Sequence, residues 1–252
     1  RLDALRSLLR IRCTEHDWEA AIESARRLEK EASEDHSADI AHFHCELAEL
    51  AVKQKNPEAA EREVSLALLE KPYSPRALML AGDFAFQKNQ VKEAVEDWEK
   101  LRQHSEDHFP LVFGRLVKGY DALGDAAGAQ AVIDYALNRF PTSEVVEQAM
   151  KRAFKDKGQH AAAEIVSKGL SGHPTLGTLS VAMEFRKMIA PDDEQLQGLS
   201  EMLKKESDRQ GRYQCRHCGF LSHSCLWQCP GCGGWDTYPT LRVQDQSLRR
   251  DK

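Results

Sequence analysis

The sequence predicts an all-α protein, a superhelical solenoid of about six helix pairs, that ends in a small four-cysteine metal module. Three observations carry this reading. A small residue returns in one local context at a nearly constant interval, prolines close several of the resulting repeats, and after residue 210 the helical periodicity gives way to a crowd of cysteines, glycines and aromatics.

The recurring residue is Ala21 in DWEAAI, Ala60 in NPEAAE, Ala94 in VKEAVE, Ala129 in DAAGAQ and Ala163 in QHAAAE, at spacings of 39, 34, 35 and 34. A period near 34 is the length of a tetratricopeptide (TPR) unit, whose second helix needs a small residue where it presses closest on the first. The one long interval is taken up by the polar stretch from Glu31 to Ser37, which reads as a longer turn. Gly82, Tyr120, Gly124, Ala67 and Ala136 stand at other TPR landmark positions. Pro72 and Pro141 close their repeats, as residues that cannot continue a helical ladder. Helix pairs are expected over 2–33, 37–71, 74–104, 110–140, 143–172 and 175–207. The sixth lacks the small residue, as a capping repeat often does. Each of these residues reads first as packing. Their sum implies a concave groove suited to a peptide or another protein.

The 252 residues allow two domains, expected as a TPR domain over 1–210 and a metal module over 211–243, followed by a frayed polar tail over 244–252. Hydrophobic residues at 41% and charged residues at 30% describe a globular chain. A formal net charge of -5 argues against a general nucleic-acid binder. No run of 18 apolar residues occurs, and no secretory signal opens the chain. The chain begins with Arg1, and Leu2 to Cys13 already reads as the middle of a packed array. An N-terminally truncated array is therefore the expectation.

Seven cysteines are present, five of them (Cys215, Cys218, Cys225, Cys229, Cys232) within 18 consecutive residues, while Cys13 and Cys45 stand alone in helical segments. Secreted scaffolds spread paired cysteines through the fold, so this pattern points to a reducing compartment and one thiolate site. The specific signal is Cys215-x-x-Cys218-Gly219, then nine residues, then Cys229-Pro230-x-Cys232-Gly233. Two intervening residues let one tight turn aim both sulfurs at one cation, and two such turns complete a tetrahedral site for one iron or one zinc ion. Glycine after the second cysteine permits the tight backbone turn. A disulfide pair and a redox CxxC are the other readings of these residues. Cys225, His217 and His223 are nearby substitutes as ligands. Tyr213, Phe220, Trp227, Trp235 and Tyr238 are expected either as the module's miniature core or as the face by which it docks on the last helices.

His42, His44 and Cys45 in IAHFHCELA suggest a second metal site less well than they suggest packing, since no further ligand is close in sequence. Asp192, Asp193 and Glu194 read as a helix start. The sequence contains no phosphate-binding glycine loop, GxSxG or HExxH, and nothing in it reads as a catalytic constellation. A non-enzymatic protein is expected.

TPR-like helices containing IAHFHCELA, followed by YQCRHCGF, WQCPGC and a further tryptophan, resemble the lipopolysaccharide assembly protein B (LapB) family of Gram-negative bacteria, across nearly the whole chain. The resemblance implies a rubredoxin-like module with Cys215, Cys218, Cys229 and Cys232 as ligands. It implies an adaptor on the cytoplasmic face of the inner membrane, held there by an N-terminal helix that family members carry. Its implied partners are the membrane protease FtsH, the deacetylase LpxC and other lipopolysaccharide assembly proteins, with a homo-oligomer also open. Three other functions compete: rubredoxin-type electron transfer on a TPR scaffold, a generic TPR protein-interaction module with a structural zinc ion, and a zinc ribbon reading nucleic acid through Arg212, Arg216, Arg242, Arg249 and Arg250. The nucleic-acid reading ranks last, because the module's aromatics are committed to its core.

Overall fold

The computed structural model describes residues 2–210 and 212–249, with side chains through residue 246. Among the described residues there are twelve α-helices: α1 (Leu2–Glu15), α2 (Trp18–Ala32), α3 (Ser37–Lys53), α4 (Pro57–Glu70), α5 (Pro75–Gln87), α6 (Val91–His104), α7 (Phe109–Ala122), α8 (Ala126–Arg139), α9 (Ser143–Lys157), α10 (Gln159–Gly172), α11 (Leu176–Ile189) and α12 (Glu194–Gln210). Their bounds follow the six expected pairs closely, so the predicted fold class is the one observed. Strands β1 (Tyr213–Gln214) and β2 (Leu221–Ser222) form an antiparallel ribbon, and a short 3-10 helix spans Val243–Arg249. The chain forms two compact units, one of residues up to 124 with 232–235, the other of 125–231 with the residues from 236 onward.

In the first unit, α1 packs on α2, α3 on α4 and α5 on α6. The helix starts are chemically written: the side chains of Asp17, Asn56 and Ser74 accept hydrogen bonds from the backbone N–H groups of Ala20, Ala59 and Ala77, and Pro57 and Pro75 occupy first-turn positions that need no donor. The expected long turn falls between α2 and α3, where Ser33 adopts a left-handed conformation at φ 54°. Trp18, Ala21, Ala25, Ile40 and Phe43 form one core cluster. Trp98 is 2% exposed and lies against Gly82, where a side chain would collide with its indole.

In the second unit, α9 packs on α10 and α11 on α12. Val146, Met150, Ala162, Val166, Val181 and Phe185 form its core. The Asp193 carboxylate accepts from the N–H of Leu196 at 3.0 Å, so the acidic run does open a helix. Along α12 only Ser200 and Ser207 are buried, in keeping with a terminal helix that has one neighbour.

The recurring small residues are at the packing points, with one correction. Ala21, Ala60, Ala94 and Ala129 are at most 1% exposed, but in the fifth repeat the buried residue is Ala162, and Ala163 is only half-buried. The reason lies in the helix start. Each buried alanine sits four residues past its N-cap and donates its N–H to the cap carbonyl, as Ala21 to Asp17, Ala60 to Asn56, Ala94 to Gln90, Ala129 to Asp125 and Ala162 to Gly158. The motif AAAE contains three alanines, and the spacing of 34 selects the wrong one.

The expected frayed tail also needs correction. Val243–Arg249 is helical, and Asp245, 1% exposed, receives a hydrogen bond from His173 at 3.0 Å. Arg242 pairs with Glu144 at 2.7 Å. A polar composition suggests fraying, but these partners lie far away in sequence. Residues 250–252 of the expected tail lie outside the described residues.

A candidate four-thiol metal centre

Each CxxC lies on a short turn. In the first knuckle β1 leads into Cys215, whose N–H donates to the Phe220 carbonyl at 2.9 Å, while the Gly219 N–H donates to the Cys215 carbonyl at 2.9 Å. Gly219 and Gly233 follow the second cysteine of each knuckle at φ 78° and 72°, left-handed conformations that explain the glycines the sequence places there. Turns of this shape fold locally because the sharp reversal strains no side chain.

The four sulfurs of Cys215, Cys218, Cys229 and Cys232 lie within 4.8 Å of one another. None of the seven cysteines is in a disulfide, and Cys218 Sγ lies 3.6 Å from Cys229 Sγ. A tetrahedral ion with metal–sulfur bonds of about 2.3 Å needs sulfurs about 3.8 Å apart, so the donor set fits one ion. Among the described residues this is the only group of three or more histidine, cysteine and carboxylate side chains so arranged. Four thiolates suit zinc and iron alike.

The surroundings of Cys215 favour its thiolate. Burial alone would raise the Cys215 thiol, but hydrogen bonds from the Thr237 side chain and from the backbone N–H groups of Cys218 and His217 outweigh it and bring its pKa down to about 6. The Tyr238 hydroxyl lies 3.8 Å from Cys229 Sγ and donates to the Phe220 carbonyl at 3.2 Å, and burial pushes its pKa up. Tyr238 is buried with Cys215 and Cys229, and Tyr213, Cys225 and Leu226 pack against them. Thr237 stands near a tryptophan and carries no signal in the sequence of a sulfur contact.

The neighbouring groups are placed as follows. Cys225 lies outside the set, its Sγ 3.9 Å from the Pro239 carbonyl, with its pKa pushed up to about 11 by burial and then by Asp236. His217 and His223 are exposed and outside the set. Tyr213 and Tyr238 meet the expectation of a small core, whereas Phe220 is 44% exposed and Trp235, expected in that core or against the last helices, belongs to the first unit. There it stacks on His42 at 4.6 Å and meets Trp18 and Phe43 edge-on at 5.9 and 6.0 Å. His42 thus packs on an aromatic ring, His44 Nδ1 contacts Glu63 at 2.8 Å, and Cys45 is buried among Ala41, Ala67 and Ala77. No second metal site forms from these three. Of the arginines considered for nucleic acid, Arg242 is held by Glu144, and Arg250 lies outside the described residues.

An array of helix pairs and a two-knuckle four-thiol ribbon define a helical-repeat protein of the TPR type carrying a rubredoxin-type module. A family model described as "Rubredoxin metal binding domain" matches residues 213–238. Over 97% of its length the chain is similar to Lipopolysaccharide assembly protein B of Escherichia coli (strain K12), at 25% identity across 248 residues. It is similar to the protein of the same name from Haemophilus influenzae at 24% identity, again over 97% of the chain. The family resemblance read from the motifs is therefore found over nearly the whole sequence. The chain spans 64% and 62% of the lengths of these two relatives. Similar solved structures include PilF of Pseudomonas aeruginosa, at 18% identity and a TM-score of 0.49 over 82% of this chain and 90% of that one. MamA is another, at 12% identity and a TM-score of 0.45 over 68% of this chain and 90% of that one. Among the described residues no helix is long and apolar enough to cross a membrane.

Proposed function

We propose that this chain is a non-catalytic adaptor that restrains lipopolysaccharide synthesis at the cytoplasmic face of the bacterial inner membrane, by bringing the deacetylase LpxC to the membrane protease FtsH. One observation carries the reading: the similarity to Lipopolysaccharide assembly protein B runs through array and ribbon together, over 97% of the chain. The repeat domain, residues 1–210, offers helical surfaces for protein partners. The module, residues 211–243, holds one iron or zinc ion through Cys215, Cys218, Cys229 and Cys232. The ion, when bound, cross-links two turns whose own core is too small to fold them. The residues do the rest: Gly219 and Gly233 shape the turns, Thr237 and the backbone N–H groups favour the thiolate at Cys215, and Tyr238 fills the space behind Cys229.

The test is direct binding of the purified, metal-loaded chain to purified LpxC and to FtsH, followed by the LpxC half-life in cells whose own adaptor is deleted and replaced by a full-length protein containing this chain. Saturable binding and a shortened half-life are expected. Absence of binding to both proteins at about 100 μM, roughly 5.5 kcal/mol of association free energy, together with an unchanged half-life, would overturn the proposal.

A further inference from the structure

The four thiols do not face water equally. Cys215 and Cys229, the first cysteines of the two knuckles, are 2% and 0% exposed, whereas Cys218 and Cys232, the second cysteines, are both exposed. Each turn therefore encloses its first cysteine beside Tyr238 or Thr237 and leaves its second at the surface. The two presented sulfurs lie within 4.8 Å of each other, so a modest side-chain rotation brings them to bonding distance. Oxidation of cysteine follows thiolate character and access, and a metal-bound thiolate at the surface has both.

We propose that Cys218 and Cys232 form an oxidation site at which a hydroperoxide converts the solvent-facing pair to a disulfide and so discharges the metal. This rests on the four-thiolate reading above. One thiolate attacks hydrogen peroxide, taking one oxygen to become a sulfenic acid as hydroxide leaves. The second thiolate then attacks that sulfur, forming the S–S bond and expelling a second hydroxide. Two thiolates and one peroxide thus give one disulfide and two hydroxides, with two electrons passing to the peroxide. The two remaining thiolates, Cys215 and Cys229, cannot close a four-sulfur site, and the ion leaves. Cys225 takes no part: it is half-buried, its proton is held to a pKa of about 11, and its Sγ contacts the Pro239 carbonyl.

The step has an internal reporter. Trp235 follows Cys232 by three residues and stacks on His42 in the first unit's core, so loosening of the second knuckle changes its surroundings.

The test uses the intact chain, reduced and carrying one metal equivalent by elemental analysis. Hydrogen peroxide is added while a chromogenic chelator reports free metal, tryptophan emission is followed, and disulfides are mapped by differential alkylation and mass spectrometry. About one metal should appear per peroxide consumed, with the first disulfide at Cys218–Cys232 and about tenfold less modification at Cys215 and Cys229. Cys225→Ser should behave as the wild type. A first disulfide involving Cys215, Cys229 or Cys225, or disulfide formation with the metal retained, would overturn the inference while leaving the four-thiolate centre standing. A reduced chain that binds no metal would overturn both.

Discussion

Substituting Gly82 by alanine isolates one packing decision in the array. A Cβ at Gly82 would fall 2.6 Å from Trp98 Cδ1 and 2.8 Å from Cε2, where ordinary contact begins at 3.4 Å. Trp98 Nε1 would lie closer still, so the indole or the helix must give by more than 0.8 Å, the difference between 3.4 and 2.6 Å. Trp98 is 2% exposed and packed on Phe86 at 5.7 Å, so it has nowhere to go without disturbing α5 or α7. Overpacking of this kind costs about 1–3 kcal/mol, while alanine in a helix interior returns about 1 kcal/mol. The net expectation for Gly82→Ala is a loss of up to about 2 kcal/mol, or roughly 2–4 °C in Tm per kcal/mol for a chain of this size. The sign depends on the ring. Trp98→Ala alone should cost about 3–5 kcal/mol, but in that background Gly82→Ala should gain stability by about 1 kcal/mol, because the obstacle is gone and the helix propensity remains. Thermal and urea unfolding of the four members of the cycle measure this directly. If Gly82→Ala destabilises the Trp98→Ala protein as much as it does the wild type, the close approach is not the reason for the glycine.

Other outcomes follow from the same contacts. Cys229→Ser should lose bound metal and Cys225→Ser should keep it, as read by elemental analysis of protein purified under reducing conditions. Ala129→Leu should destabilise by about 1–3 kcal/mol, because its site is fully enclosed, whereas Ala163→Leu should be close to neutral; equal losses in unfolding experiments would reject the corrected register. His173→Ala removes a hydrogen-bond partner of the buried Asp245, at a cost of about 1–3 kcal/mol. Hydrogen exchange should then show faster opening over 243–246, and unchanged protection there would mean that other contacts hold the segment.

Much of this architecture is legible in the sequence because local rules write it. Caps such as Asp17 and Asn56, first-turn prolines and apolar periodicity set helix bounds without knowledge of the tertiary fold. The doubled CxxC is legible for the same reason, since each turn needs only its own two cysteines and glycine. What could not be read are decisions made across distance. The assignment of Trp235 to a core built from α2 and α3 depends on residues about two hundred positions earlier. Asp245 reads as a tail carboxylate until His173, 72 residues upstream, is placed beside it. Ala162 rather than Ala163 could have been found by counting from the helix start instead of from the preceding repeat.

A chain built in this way tolerates change in length unevenly. Because each contact alanine is measured from its own cap, residues added in a loop, like the polar stretch before α3, shift nothing downstream of the next cap. One residue added between a cap and its alanine would turn the contact by about 100° around the helix and point a different side chain at its neighbour. Indels among relatives should therefore gather just before the caps and be scarce in the four positions that follow them.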